Sequence, residues 1–285
     1  MNPNPPPIVR TVSALRSRVT AWRESGMRVA LAPTMGALHE GHLSLVRLGR
    51  AHADRAVVSI FVNPSQFGAH EDLDAYPRNE AADVEALIGQ GCDLIYAPDV
   101  AAMYPRGFST TIDVGGVSMP LDGAARPHHF EGVATVVTKL LVQCGPDVAV
   151  FGEKDYQQLQ VIRRLTTDLD LPVEIVAAPT ARADDGLALS SRNAYLTTAQ
   201  RQIAGSLNVI LANAATAVRS GAAARRVEAE GRAALSAAGF EKIDYFEVRA
   251  ADDLALIGDR PPETPARVFA AAWLGKTRLI DNMPV

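Results

Sequence analysis

What most limits the folds open to this chain is a rhythm in its first two-thirds, where short, continuously apolar segments alternate with helix-like ones. Residues 27–32 (MRVALA) form an apolar run closed by Pro33, and residues 56–62 (AVVSIFV) form a second, stopped by Asn63-Pro64. Residues 93–96, 148–151 and 173–176 supply three more. Between them, Leu45 and Leu48 predict a helix to about Asp54, and Val84, Leu87 and Ile88 predict one over 80–90 that Gly91 ends. Further helices are predicted over 132–143 and 156–169. Strands that are apolar on both sides and joined through helices specify a parallel sheet covered on both faces. Ligands of such sheets bind beyond the carboxyl ends of the strands.

The texture changes near Thr180. Residues 199–219 and 223–238 are alanine-rich with arginines on the polar side, and predict two long helices. Residues 243–248 read as a half-exposed strand, and 267–274 and 277–280 as paired strands around Gly275-Lys276. The expected organisation is α/β: a parallel sheet with helices on both faces over residues 1–180, then a smaller C-terminal α+β domain over 181–285. No internal repeat is visible.

Composition excludes several classes. With 28 Lys+Arg against 32 Asp+Glu and a net charge of -4, the chain lacks the basic excess of a non-specific nucleic-acid binder. Its apolar runs fall well short of the ~20 residues of a membrane span. Cys92 and Cys144 lie far apart without CxxC spacing, as in a reduced, cytoplasmic chain. Residues 1–9, proline-rich and without an apolar signal region, read as a mobile tail. The expectation is a soluble cytoplasmic protein with no nucleic-acid or membrane partner.

Four polar groups fall at or near strand ends. The first is PTMGALHEGH (33–42), in which Gly36 and Gly41 allow a tight loop and His42 falls at a helix start, where free N–H groups favour anions. His39 and His42 suit phosphate oxygens. Surface residues placed by chance and a zinc pair are the rival readings, but the helical zinc signature places its histidines four apart, and here they are three apart. The second group is FVNPSQFG (61–68), whose Asn63 and Gln66 offer uncharged amides suited to a small hydroxy acid, or form an ordinary polar turn. The third, GEKDYQQ (152–158), carries Lys154 as a mobile phosphate-reaching charge or a solvated surface lysine, and Asp155 as a helix cap or sugar-hydroxyl acceptor. The fourth, LALSSRN (187–193), sets Ser190, Ser191 and Arg192 in succession, either a phosphate clamp or a serine-rich connection. Arg126 and His129 add a further basic cluster, for which a solvated loop is the competing reading. No G-x-G-x-x-G follows the first strand and no G-x-S-x-G is present; Gly275-Lys276-Thr277 lacks the leading glycine of a P-loop, since Ala270 stands there.

Together, PTMGALHEGH (33–42), FVNPSQFG (61–68), DLDAYPR (72–78), GEKDYQQL (152–159) and LSSRNAYL (189–196) resemble the pantoate–β-alanine ligase family of the HIGH-motif nucleotidyltransferase superfamily, in family order and over roughly residues 8–283. The resemblance implies a Rossmann-like N-terminal domain, a C-terminal lid and a homodimer. It implies the substrates ATP, (R)-pantoate and β-alanine, with Mg²⁺, and a pantoyl adenylate intermediate that β-alanine converts to pantothenate with release of AMP. By the same resemblance His39, His42 and Lys154 contact ATP phosphates, Asp155 the ribose, and Pro33, Met35 and Gly152 the nucleotide pocket. Gln66 and Gln158 hold pantoate together with Asn63, which lies beside the triphosphate end, and Ser190, Ser191 and Arg192 match the KMSKS-loop counterpart. Tyr76, Arg126 and His129 are further candidates, and no protein metal ligand is assigned. Ala86, Asp122 and Leu189 depart from the family's Gln, Glu and Met.

The chemistry accounts for these residue types. Carboxylate and ATP repel one another, and attack at the α-phosphorus concentrates more negative charge, which preorganised donors offset in a site sheltered from water. His39, His42, Lys154 and Arg192 are the candidate cations or donors, and neutral amides fix pantoate without a desolvated ion pair. A water-labile adenylate gives the 187–193 loop and the C-terminal domain a reason to close over the cleft. Three rivals remain at this point: a nucleotidyltransferase that stops at AMP transfer, a metal hydrolase built on His39, Glu40 and His42, and a non-catalytic nucleotide-binding module.

Overall fold

The computed structural model describes residues 4–68, 71–258, 262 and 264–285. In chain order the N-terminal part comprises β1 (Ile8–Val9), α1 (Val12–Glu24), β2 (Val29–Thr34), α2 (Glu40–His52), β3 (Arg55–Ile60), α3 (Glu80–Leu87), β4 (Leu94–Tyr96), α4 (Val100–Met103), α5 (Asp122–Ala125), α6 (His129–Cys144), β5 (Val148–Gly152), α7 (Tyr156–Asp168) and β6 (Glu174–Ala178). The C-terminal part comprises α8 (Thr198–Ala204), α9 (Ser206–Arg219), α10 (Ala224–Ala238), β7 (Lys242–Ala250), β8 (Ala266–Leu274) and β9 (Thr277–Pro284).

Six strands pair in parallel in the order β1-β4-β3-β2-β5-β6. Their two-residue alternation feeds two separate cores. Val29, Leu31, Val57, Leu94, Ala149 and Phe151 pack beneath α1, α6 and α7, while Ala30, Ala32, Val58, Ile95, Val148 and Val150 pack against α2 and Leu87. The strands are therefore apolar throughout because both faces are covered. After β2 the chain steps outward through β3 and β4, and after β5 it steps the opposite way. The switch point lies between β2 and β5, and the crevice opens there.

Three local expectations are corrected. Within the expected mobile tail, Ile8 and Val9 pair with Ile95 and Tyr96; residues 1–3 lie outside the described residues. Prolines are tolerated because β1 is an edge strand. Pro33 does not end its strand: β2 runs to Thr34, whose carbonyl accepts from Phe61 N–H at 3.0 Å. By alternation the nitrogen of Pro33 faces the other side, where β2 has already parted from β5 after Leu31. The helix expected over 199–219 is two, α8 and α9, divided at Gly205.

The C-terminal sheet, β7-β8-β9, is antiparallel. Phe246, Val248, Val268 and Ala270 pack against α9 and α10, while Tyr245, Phe269 and Ala271 turn toward the N-terminal core. The half-exposed strand expected near residue 245 is thus covered on both faces. Its acids are paired: Asp244 with Arg278, and Glu247 with Arg249. No helix among the described residues is long and apolar enough to cross a membrane.

Candidate active site

One cavity of about 1200 Å³ occupies the switch point, and every site residue singled out from the sequence lines it: Pro33, Met35, His39, His42, Asn63, Gln66, Tyr76, Arg126, His129, Gly152, Lys154, Asp155, Gln158, Ser190, Ser191 and Arg192. The loops after β2, β3 and β5 supply most of them, and the segment between β6 and α8 supplies the last three.

The loop after β2 is built to aim its histidines. Gly36 has φ +80, and a Cβ there would lie 2.8 Å from a carboxylate oxygen of Asp83. That carboxylate, buried on α3, accepts the N–H groups of Ala37 (3.1 Å) and Leu38 (2.7 Å) and fixes the turn. Burial pushes the Asp83 carboxyl up, and the two N–H bonds pull it part of the way back. His39 is the N-cap of α2: its Nδ1 accepts Gly41 N–H at 3.1 Å, and His42 Nδ1 accepts His39 N–H at 3.4 Å. Two nitrogens spent as acceptors leave the proton of each neutral ring on Nε2. Burial lowers His39 to about 4 and His42 to about 3, helped by Lys154 and, for His42, by His39. The pair are therefore neutral donors rather than the cations the sequence allowed. Glu40 pairs with Arg47 at the surface, away from the rings, and no cluster of three or more His, Cys, Asp or Glu able to hold a metal occurs among the described residues.

The turn after β3 is tied down from several sides. Asn63, almost fully buried, donates to Gln66 Oε1 (3.0 Å) and to the Gly132 carbonyl (3.1 Å), and accepts from Tyr104 Oη (2.7 Å) and Ser65 Oγ (2.9 Å). Gly132 permits this contact, since a Cβ on it would stand 2.3 Å from the Ser65 carbonyl oxygen. With its amide committed inside the turn, Asn63 orients Gln66, whose own N–H₂ reaches Met35 Sδ at 3.2 Å. Arg126 and His129 are not a solvated loop. Arg126 forks onto Glu71 with two 2.7 Å bonds and donates to His129 Nε2 at 3.0 Å, and His129 Nδ1–H donates to the Gln66 carbonyl at 2.9 Å. Burial and Arg126 lower His129 to about 4, so it too stays neutral.

After β5, residues Glu153–Asp155 form one 3₁₀ turn leading into α7. Lys154 Nζ lies 3.5 Å from Asp155 Oδ1. Asp155 occupies the N-cap position of α7, but its side chain makes no capping bond, so the expected cap is absent and the carboxylate remains turned to the cavity lining. Gln158, one turn on, makes no side-chain hydrogen bond among the described residues.

The fourth segment crosses the cavity mouth. Ser190 caps its own 3₁₀ turn through Arg192 N–H (3.3 Å), Ser191 Oγ donates to the Ala37 carbonyl (3.0 Å), and Arg192 forks onto Asp72 at 2.9 and 2.8 Å. Tyr195 donates to the Ala75 carbonyl at 3.1 Å. The guanidinium expected to clamp phosphate is thus held by a carboxylate in this state. Asp122, the departure from the family pattern, faces the C-terminal sheet instead, accepting from Tyr245 Oη (2.9 Å) and Arg278 (2.7 Å). Burial opposes its ionisation, yet Arg278 holds the carboxyl below the usual range.

Sequence reasoning missed Asp72, Asp83, Asp281 and Asn282. Asp83 shares a helix face with buried Leu87 four residues on, a signal that was available in the sequence.

Fold and cavity define a doubly wound α/β protein whose switch point holds an HxGH loop, a lysine turn and a serine–arginine segment. Comparison with known proteins narrows the class. Residues 7–284 match the family model described as Pantoate-beta-alanine ligase, and the chain belongs to that family. It is 60% identical over 281 residues to "Pantothenate synthetase" of Caulobacter vibrioides, covering 98% of this chain and 99% of that one. The protein of the same name from Paramagnetospirillum magneticum is 60% identical over 280 residues, covering 98% and 97%. Among solved structures, pantothenate synthetase from Thermus thermophilus superposes with a TM-score of 0.91 at 42% identity, covering 97% of this chain and 98% of that one. Pantoate-beta-alanine ligase from Francisella tularensis, complexed with beta-gamma ATP and beta-alanine, superposes with a TM-score of 0.82 at 31% identity, covering 98% and 97%.

Proposed function

We propose that this chain condenses (R)-pantoate with β-alanine in two steps, through pantoyl adenylate, using ATP and releasing diphosphate and then AMP. In the first step a pantoate carboxylate oxygen bonds to the α-phosphorus, and the bond from that phosphorus to the β-phosphate oxygen breaks. In the second the β-alanine amine bonds to the acyl carbon, the acyl–oxygen bond to AMP breaks, and the nitrogen loses a proton. The observation that carries this reading is the convergence of His39, His42, Lys154 and Ser190 on one cavity beside Gln66.

In this reading the Nε2–H groups of His39 and His42 and the ammonium of Lys154 meet the phosphates, where charge builds as diphosphate departs. Neutral imidazoles suit the task, because they donate hydrogen bonds without needing a protonation that burial opposes. Gln66 and Gln158 hold pantoate, Asn63 and His129 hold Gln66, and Asp155 receives the ribose. Met35, Pro33 and Gly152 form the nucleotide wall. Ser191 and Arg192, with Tyr76, close the mouth, and Arg192 exchanges Asp72 for phosphate when ATP enters. Residues 1–180 form the ATP- and pantoate-binding domain and 181–285 the smaller lid.

Among the described residues no group of three or more His, Cys, Asp or Glu is placed to hold a metal, and of the acids lining the cavity Asp72 is spent on Arg192. Mg²⁺ would therefore come with the nucleotide and supply positive charge to its phosphates, and no step is assigned to it. A cytoplasmic homodimer completes the proposal.

Pantoate-dependent exchange of labelled diphosphate into ATP without β-alanine tests the first half-reaction. Exchange without pantoate, or none with it, would overturn the reading.

A further inference from the structure

The lysine turn and the segment leading to Ser190 are both tied to two consecutive residues of β9. Asn282, buried to 3% exposure, donates both amide hydrogens to consecutive carbonyls of the lysine turn, Glu153 at 2.8 Å and Lys154 at 3.0 Å. Its own oxygen accepts from Arg267 Nε at 2.8 Å. Arg267 also reaches the Glu153 carboxylate at 3.2 Å and lies 4.0 Å over the Tyr156 ring, so the amide has a fixed orientation. Asp281, likewise buried, forks onto Arg182 at 2.6 and 3.0 Å. Arg182 donates to the Gly186 carbonyl (3.0 Å) and pairs across a bridge with Ala188, two residues before Ser190.

We propose that Asp281 and Asn282 are positioning residues for adenylyl transfer: Asn282 fixes the backbone pivot of Lys154, and Asp281, through Arg182, fixes the limb that presents Ser190 and its neighbours. This inference rests on the phosphate-facing role of Lys154 given above. A lysine stem has many rotamers, and its ammonium is useful only where the α-phosphorus passes. Tying both carbonyls that flank its Cα removes pivot freedom without touching the charge. Both line the cavity, but their polar atoms are committed to protein groups, Asn282 to the lysine turn and Arg267, and Asp281 to Arg182, so each acts through another residue. The arrangement also joins the two halves of the chain at the site itself. In this structure the last strand of the C-terminal sheet is hydrogen-bonded to the lysine turn.

The test is a double-mutant cycle read by pantoate-dependent ATP–diphosphate exchange on the full-length enzyme. Asn282→Ala should slow exchange by about 10–10²-fold, the scale of a small misplacement of a catalytic group, with the pantoate KM changed less than about twofold. In a Lys154→Ala background the same substitution should change the rate less than about threefold, since coupled residues are not additive. Wild-type exchange by Asn282→Ala, or an undiminished further loss in the Lys154→Ala background, overturns the proposal. Wild-type exchange by Lys154→Ala alone would instead remove the reading on which it rests. Should the alanine variant not fold, Asn282→Asp keeps the shape and the bond from Arg267, removes both donors, and is read in the same cycle.

Discussion

His39 and His42 face each other with ring centroids 4.1 Å apart, each spending Nδ1 on a backbone N–H of the turn that carries them. The helix cap and the proposed phosphate donors are thus the same two side chains. One nitrogen of each ring closes the N-terminus of α2 and leaves the proton on the other, so local folding selects the tautomer that the proposed chemistry needs.

This arrangement predicts an acid-sensitive fold. His39, His42 and His129 are lowered to about 4, 3 and 4 by burial and nearby positive charge, against 6.5 for an ordinary histidine. Between those values and 6.5 the unfolded chain binds protons that the folded chain refuses, so stability rises with pH and is lost as pH falls below about 6.5. The slope approaches about 1.4 kcal/mol per pH unit for each histidine titrating fully. Urea unfolding at pH 7.5 and at pH 5.2, above the carboxylate range, should show the loss, and His129→Gln should reduce it. Equal stability at both values would refute the neutral-imidazole description.

Lys154→Ala and His39→Ala should each lower single-turnover adenylate formation by about 10²–10³-fold, the usual effect of deleting one charge-stabilising donor. Thermal midpoints should move little for Lys154→Ala, whose ammonium has only Asp155 as a partner at 3.5 Å among the described residues. Near-wild-type adenylate formation in both variants would remove them from the phosphate site.

Gln66→Ala should weaken pantoate binding by about tenfold, equivalent to about 1.4 kcal/mol, and change ATP binding much less. Isotherms with the order reversed would assign the turn after β3 to the nucleotide.

Asp83→Ala strands the Ala37 and Leu38 N–H groups in a buried loop. Hydrogen bonds to a charged acceptor are worth about 1.5–3 kcal/mol each, so urea unfolding should show a loss of at least about 2 kcal/mol together with slowed exchange. An unchanged midpoint would mean that the loop holds its shape without the carboxylate.

The sheet was legible because β2 to β6 lie between two cores, which forces apolar residues onto both faces and leaves runs that need no partner to recognise. β1 was not legible: two residues at an edge carry no period, and the prolines before them resemble a tail. Helix α1 went unread because its first turns are rich in polar residues and it buries only Leu15 and Val19 fully. The α8–α9 break fell inside a run of helix formers, where Gly205 alone marks the division. At the site, the loop residues after the strands stood out because loops gather unusual side chains. Asp72 and Asn282 also line the cavity but did not stand out, since they act on groups 120 and 128 residues away. Asp281 left a trace, falling two residues after buried Leu279 on the covered face of β9.

The Gln66 turn hangs from β3, while the proposed phosphate donors hang from β2 (His39 and His42) and from β5 (Lys154). Under the proposed assignment, acid preference is open to change at Gln66, Arg126 and His129, whereas Gly132 must stay glycine because a Cβ there would stand 2.3 Å from the Ser65 carbonyl oxygen. A library restricted to those three positions searches for new hydroxy acids while leaving His39, His42 and Lys154 unchanged.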